Sequence, residues 1–310
     1  MAEPAQDPHP DFAMLATSWD MSMEADGYGA ATRRGYGKAL GSFVAWLTEH
    51  SPGTGPATVV RDDVRGWLVE LRRTRAQNTA RTYYAGVRHF FRWLHAEGET
   101  DRDPCEGIRS PSPAEPVTEV IAAADLRRLV ETCAGRDFVS RRDRAILLLF
   151  LDGGLRLAEL AELSIADVDV RERMVYVVGK GSGRSGPRHR AVPLGIKAAQ
   201  ALDRYLRERR RHPWASCDAL WLGARGRGPI TAAGIKRMLQ RRGESVGLTI
   251  HPHMLRHVWA HEFRAAGGSE GDLMLIGGWK SRAMLDRYGR SAAAERARDA
   301  ARRYSLGDRL

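Results

Sequence analysis

Between positions 103 and 116 the chain reads Asp-Pro-Cys-Glu-Gly-Ile-Arg-Ser-Pro-Ser-Pro-Ala-Glu-Pro, and no helix or central strand can run through it. Each proline lacks an N–H and clashes with the turn before it, so Pro104, Pro111, Pro113 and Pro116 interrupt any periodic element. Such a break about a third of the way along a chain of 310 residues calls for two domains. We read 106–118 as an interdomain linker, with a first domain at 29–105 and a second at 119–290. An acidic, partly ordered tail is expected at 1–28, and a final helix and tail at 291–310.

The first domain has helical periods only. Tyr36, Leu40, Phe43, Val44 and Leu47 predict a helix over 32–49, and Ser51-Pro-Gly-Thr-Gly-Pro56 ends it. Asp62 is the expected N-cap of a second helix, with Val64, Trp67, Leu68 and Leu71 on one face. Asn78 is the expected cap of a third, with Tyr83, Val87, Phe90 and Leu94 inward and Arg81, Arg88 and Arg92 outward. The second domain is mixed. Helices are expected at 122–133, 141–152, 156–163, 196–210, 231–246, 253–266 and 270–277, with a β-hairpin of 174–178 and 190–194. The expected fold class is therefore mainly α, with a small β-hairpin or sheet in the second domain.

Charge narrows the partner. Lys and Arg number 49 against 38 Asp and Glu, a net +11. The acids Glu3, Asp7, Asp11, Asp20, Glu24 and Asp26 crowd the first 28 residues, which hold no Lys or Arg. A chain this basic calls for a polyanion, nucleic acid before others. The longest apolar run, 145–151, is far shorter than the roughly 20 residues of a membrane span, and no signal peptide is visible. Cys105, Cys133 and Cys217 are odd in number and far apart, which excludes a disulfide scaffold and suits a reducing cytoplasm.

Two motifs mislead. Gly181-Ser-Gly183-Arg-Ser-Gly186 matches a dinucleotide fingerprint, yet a strand follows it where the pyrophosphate needs a helix N-terminus. His251, His253, His257 and His261 include i,i+4 pairs that can hold zinc, but Arg256 in their midst repels a cation.

A wider constellation absorbs that cluster. Gly154-Leu-Arg156-Leu-Ala-Glu159-Leu resembles the first arginine box of the tyrosine recombinases, the phage-integrase family. His253-Met-Leu-Arg256-His257 is similar to their HxxRH box, and Ile276-Gly-Gly-Trp279-Lys-Ser with Tyr288 nine residues after Trp279 to their final box. Lys180, 24 residues after Arg156, sits where the family has its β-hairpin lysine. The resemblance covers roughly 30–305, five elements in order. It implies an α-helical, SAM-like core-binding domain and a mixed α/β catalytic domain that close around duplex DNA as a clamp.

The residue types suit the implied chemistry. A phenol of pKa about 10 can attack a phosphodiester and later leave, which makes Tyr288 the nucleophile, with Tyr304 its rival. Guanidinium forks on Arg156 and Arg256 would stabilise the charge that grows on the non-bridging oxygens. The departing 5′-oxygen needs a proton; arginine gives none up readily, whereas Lys180 or its competitor Lys280 can. His253 would bond the phosphate or relay the tyrosine's proton, Trp279 would pack beside the phosphate, and Glu159 and His257 would orient the arginines. Arg81, Arg88, Arg92, Arg184, Arg188 and Arg190 are candidate contacts to the DNA backbone.

The resemblance implies double-stranded target DNA and a tetramer in the synaptic complex as partners, with room for an accessory or directionality protein and no membrane. It implies neither metal nor other cofactor. The segment 291–304 would dock as a helix on a neighbouring protomer, or else on its own domain. No arm-site-binding module is expected ahead of residue 30. The competing readings are a type IB-like topoisomerase, a non-catalytic regulator of the same fold, and a zinc hydrolase built on the histidines.

Overall fold

The computed structural model describes residues 10–112, 121–179 and 188–279, together with Ser281, Arg302 and Ser305. Two compact units divide at the proline-rich segment, one running Met1–Pro116 and the other beginning at Val117.

The first unit is built from α1 (Pro10–Ala25), α2 (Ala30–His50), α3 (Arg61–Thr74) and α4 (Gln77–Ala96). Aromatic side chains dominate its core: Phe43 meets Trp67 and Phe91 edge-on, with ring centroids 5.3 and 5.7 Å apart. The segment expected to be a tail is largely α1, which buries Phe12, Trp19 and Met23. Trp19 donates to His89 Nδ1 on α4 at 2.9 Å, and Arg33 on α2 takes Asp20 and Glu24. Two acids that read as tail charge thus hold the helix in place.

Two expected caps are also displaced. Val60 is the N-cap of α3, and its N–H donates to the Asp63 carboxylate at 3.0 Å, while Asp62 pairs with Arg65 on the surface. Ala76 is the N-cap of α4, so Asn78 falls inside the first turn. The expected linker starts on the first unit's core: Tyr84 donates to the Ile108 carbonyl at 3.0 Å, and Ile108 packs on the apolar cluster.

The second unit opens with α5 (Ala123–Glu131) and α6 (Phe138–Gly153). α6 begins three residues before the expected start because Asp137 accepts from the Ser140 N–H at 3.0 Å. Its Ala145, Ile146, Leu147, Leu149 and Phe150 are fully buried. Next come α7 (Leu157–Ala161), β1 (Val168–Asp169), β2 (Met174–Gly179) and β3 (Arg188–Pro193), then α8 (Ile196–Arg209), α9 (Ala232–Glu244), α10 (Pro252–Ala265) and α11 (Glu270–Gly277).

The sheet is antiparallel in the order β1-β2-β3, and the two-residue β1, paired through Val168 and Val175, adds a strand to the expected hairpin. Val175 and Val177 point inward while Tyr176 and Val178 face solvent, the period of a half-buried strand. A buried ion cluster fixes α9 against α6: Arg142 and Arg242 both donate to Asp143, and Arg242 also reaches the Thr132 carbonyl.

Candidate active site

α6 ends at Gly154, in the left-handed conformation at φ 54°. A Cβ there would lie 1.9 Å from the Trp259 ring, so only glycine fits. The chain then turns at Leu155 and presents Arg156 as the N-cap of α7. Glu159, three residues on, reaches back to accept the Arg156 N–H at 2.8 Å and its Nη1 at 2.6 Å.

The same buried carboxylate takes Arg190 from β3, whose Nη1 and Nη2 donate at 3.0 and 2.7 Å. Arg190, expected on DNA phosphates, is instead largely buried in this pair, and its Nε donates to the Ile276 carbonyl. The sheet register explains the position: Arg190 lies opposite the buried Val177 and two residues from the buried Val192. That alternation was present in the sequence. Arg188 starts β3 opposite Gly179, and its side chain lies outside the described residues, as does Arg184.

On α10, His253, Arg256 and His257 follow i, i+3, i+4 spacing and share one face. Arg256 is almost wholly buried, donating through Nη1 to the Gly154 carbonyl and through Nη2 to the Gly277 carbonyl. Its guanidinium lies 4.2 Å from the Trp279 ring centroid, a cation–π contact, and Trp279 stacks in turn on Trp259 at 5.8 Å. Trp279 thus backs the arginine from within a small apolar cluster.

Arg156 Nη2 donates to the Gly278 carbonyl at 3.1 Å, so adjacent carbonyls of one dipeptide hold both arginines. Gly278 is itself left-handed, at φ 64°. The carbonyl acceptors at Gly154, Gly277 and Gly278 escaped sequence reasoning, because side-chain patterns carry no record of main-chain partners.

The arginines border a cleft of about 510 Å³, which His251, His253 and Lys236 also line. His251 caps α10 by accepting the Met254 N–H. Loss of surrounding water, then the charges of Arg256, His251 and Arg156, hold the His253 imidazole below its ordinary pKa. Burial, followed by His253 and the other nearby charges, takes His257 down to about 4. Both rings are therefore neutral at pH 7, and they meet edge-on with centroids 4.4 Å apart. Among the described residues no three His, Cys, Asp or Glu gather into a metal cluster.

Arg81 and Arg92 are exposed on α4 of the first unit and Arg88 is half-buried; none of the three takes part in an ion pair with a described residue. Lys180, Lys280, Tyr288 and Tyr304 lie outside the described residues, as does 291–310 apart from Arg302 and Ser305.

Glu159 carries a stability prediction. Burial alone would raise its carboxyl, but hydrogen bonds and charge from Arg190, then Arg156, bring it down to about 2. A depressed acid stabilises the fold above its unfolded pKa, near 4.5, and loses that contribution as pH falls toward 2. Glu159→Gln removes the charge opposite buried Arg190, so about 3 kcal/mol should be lost at pH 7. The difference from wild type should shrink between about pH 4.5 and 2, read as urea midpoints across pH. Parallel pH curves for the two proteins would mean that the carboxylate is not held by this pair.

Residues 119–295 match the Phage integrase family, and 19–98 match the phage integrase N-terminal SAM-like domain. Tyrosine recombinase XerC of Pseudomonas fluorescens is 32% identical over 231 residues, 74% of this chain and 75% of that protein. The structure of the Tn1549 transposon integrase in complex with transposon right end DNA superposes with a TM-score of 0.74 at 18% identity, covering 94% of this chain and 99% of that one. The lambda integrase tetramer bound to a Holliday junction gives 0.69 at 17% identity, over 89% and 79%.

Proposed function

For a chain that belongs to the phage integrase family, we propose site-specific DNA recombination, cutting and rejoining duplex DNA through a 3′-phosphotyrosine intermediate. The observation that carries this reading is the arginine pair, anchored on consecutive glycine carbonyls at the edge of a cation-lined cleft. Planar forks fixed in this way are preorganised for a phosphate whose charge grows in the transition state.

In the proposed reaction the Tyr288 oxygen attacks the scissile phosphorus, the bond from phosphorus to the 5′-oxygen breaks, and the phenolic proton passes toward neutral His253. Arg156 and Arg256 hold the non-bridging oxygens, with Glu159 positioning Arg156 and Trp279 supporting Arg256. Lys180 or Lys280 protonates the departing 5′-oxygen. Attack by a 5′-hydroxyl from a second duplex reverses the step and exchanges the strand. Bond energy is kept in the phosphotyrosine, so neither ATP nor metal is called for.

Tetrameric assembly on two duplexes, contacts from Arg81, Arg88, Arg92, Arg184 and Arg188 to the backbone, docking of 291–304 on a neighbouring protomer, and action in the cytoplasm belong to the same proposal. The lambda integrase tetramer on its junction supports the assembly by analogy of fold. The direct test traps a covalent complex on a nicked duplex from which the short 5′-terminated fragment diffuses away. A protein that forms none on any candidate site, yet binds DNA, is a regulator and not a recombinase. Relaxation of plasmids lacking a target site would indicate topoisomerase action instead.

The proton donor has its own test. Lys180→Ala should slow cleavage of ordinary DNA by about 10²–10⁴-fold. A substrate with sulfur at the 5′-bridging position leaves without a proton and should be cut at near wild-type rate. Should Lys280→Ala show that rescue and Lys180→Ala not, Lys280 is the acid.

A further inference from the structure

The cleft beside the arginines has a wall that the proposed chemistry does not use. Lys236 on α9 lines it together with Arg156, His251, His253 and Arg256, and no Asp or Glu does. Several basic residues elsewhere in the second unit are matched to acids: Arg190 to Glu159, Arg242 to Asp143, Arg141 to Glu208 and Arg264 to Glu270. Lys236 has no such partner and makes no hydrogen bond to a described residue, although its side chain is exposed.

Its backbone, by contrast, is held firmly. Thr231 caps α9 by accepting the Gly234 N–H, Ile235, Met238 and Leu239 are buried, and Arg242 ties the helix to Asp143. Glu159 offsets part of the charge of Arg156, but no carboxylate lines the cleft beside Lys236 and Arg256, so an anion entering there meets cations on two sides. The cleft, at about 510 Å³, has room for more than the one phosphate that the arginines would grip.

We infer that Lys236 binds a backbone phosphate next to the scissile one, so that the strand is held at two consecutive phosphates and cannot slide past the arginines. The inference rests on the recombinase reading above. A compact ammonium on a flexible stem suits this role, since it neutralises a phosphate without requiring one fixed geometry. It is a different role from proton donation, and the experiment separates the two.

Full-length protein is titrated against a fluorescein-labelled duplex of arbitrary sequence at a series of salt concentrations. The variants are Lys236→Gln and Lys236→Arg, each first matched to wild type in thermal midpoint. Each neutralised phosphate adds about 0.9 to the slope of log affinity against log salt, so Lys236→Gln should lower it by about that amount and weaken binding whatever the sequence. Lys236→Arg should keep the wild-type slope. An unchanged slope and affinity in Lys236→Gln overturn the contact. Selective rescue of Lys236→Gln cleavage by the 5′-bridging sulfur substrate overturns it too, because Lys236 is then a proton donor. Absence of salt-dependent binding by the wild-type protein would strike at the recombinase reading itself.

Discussion

Tyr288→Phe should abolish covalent attachment to DNA while leaving DNA affinity almost unchanged. The substitution removes one oxygen and keeps the ring, so packing and charge at the site are preserved. A phenyl ring has no oxygen with which to attack phosphorus; water in its place would yield hydrolysed ends without a protein adduct, and the arginines are too weakly nucleophilic. The effect is therefore total, unlike loss of a stabilising donor, which costs about 10²–10³-fold. Denaturing gels of trapped complexes, followed by peptide mapping, measure it. An adduct mapped to Tyr304, or one that persists in Tyr288→Phe, would remove Tyr288 from the mechanism.

Salt should have the next largest effect. A protein that engages about 6–10 phosphates loses about 10³–10⁵ in affinity between 50 and 200 mM salt, because binding releases condensed counterions. The net charge of +11 makes such a footprint available, and exposed Arg81, Arg92 and Lys236 supply cations with no ion-pair partner among the described residues. Cleavage at fixed low salt should meanwhile be indifferent to EDTA, since guanidinium groups provide the positive charge a metal would otherwise bring. Affinity that is flat across this salt range would contradict the footprint, and loss of cleavage in EDTA would return the histidine cluster to consideration as a metal site.

What the sequence discloses depends on the kind of interaction. Arg156, His253 and Arg256 are legible because each sits in a short string with fixed spacing, and helical period alone brings His253 and Arg256 onto one face. α6 is legible because its apolar run is long and unbroken. α1 is not, because the six acids of residues 1–28 dominate any reading of that stretch, even though Phe12, Trp19 and Met23 recur at helical intervals. Arg190 misleads for a related reason: neighbouring arginines on a glycine-rich hairpin invite a single surface reading, while the period of the strand turns this one inward to Glu159. The caps at Val60 and Ala76 carry no capping side chain, so rules based on residue type pass over them.

The carbonyl anchors of the arginine pair bear on how proteins built this way diversify. Gly154, Gly277 and Gly278 hold the guanidinium groups through main-chain oxygens, which every amino acid possesses and no substitution can exchange. Steric exclusion at Gly154 further bars drift at one of the two places that aim a carbonyl at Arg256. The grip on the phosphate is thereby insulated from the mutations that alter side chains around it. Recognition of new sites can then be explored on exposed positions such as Arg81 and Lys236 without retuning the reaction, so target choice and bond chemistry are free to evolve on separate schedules.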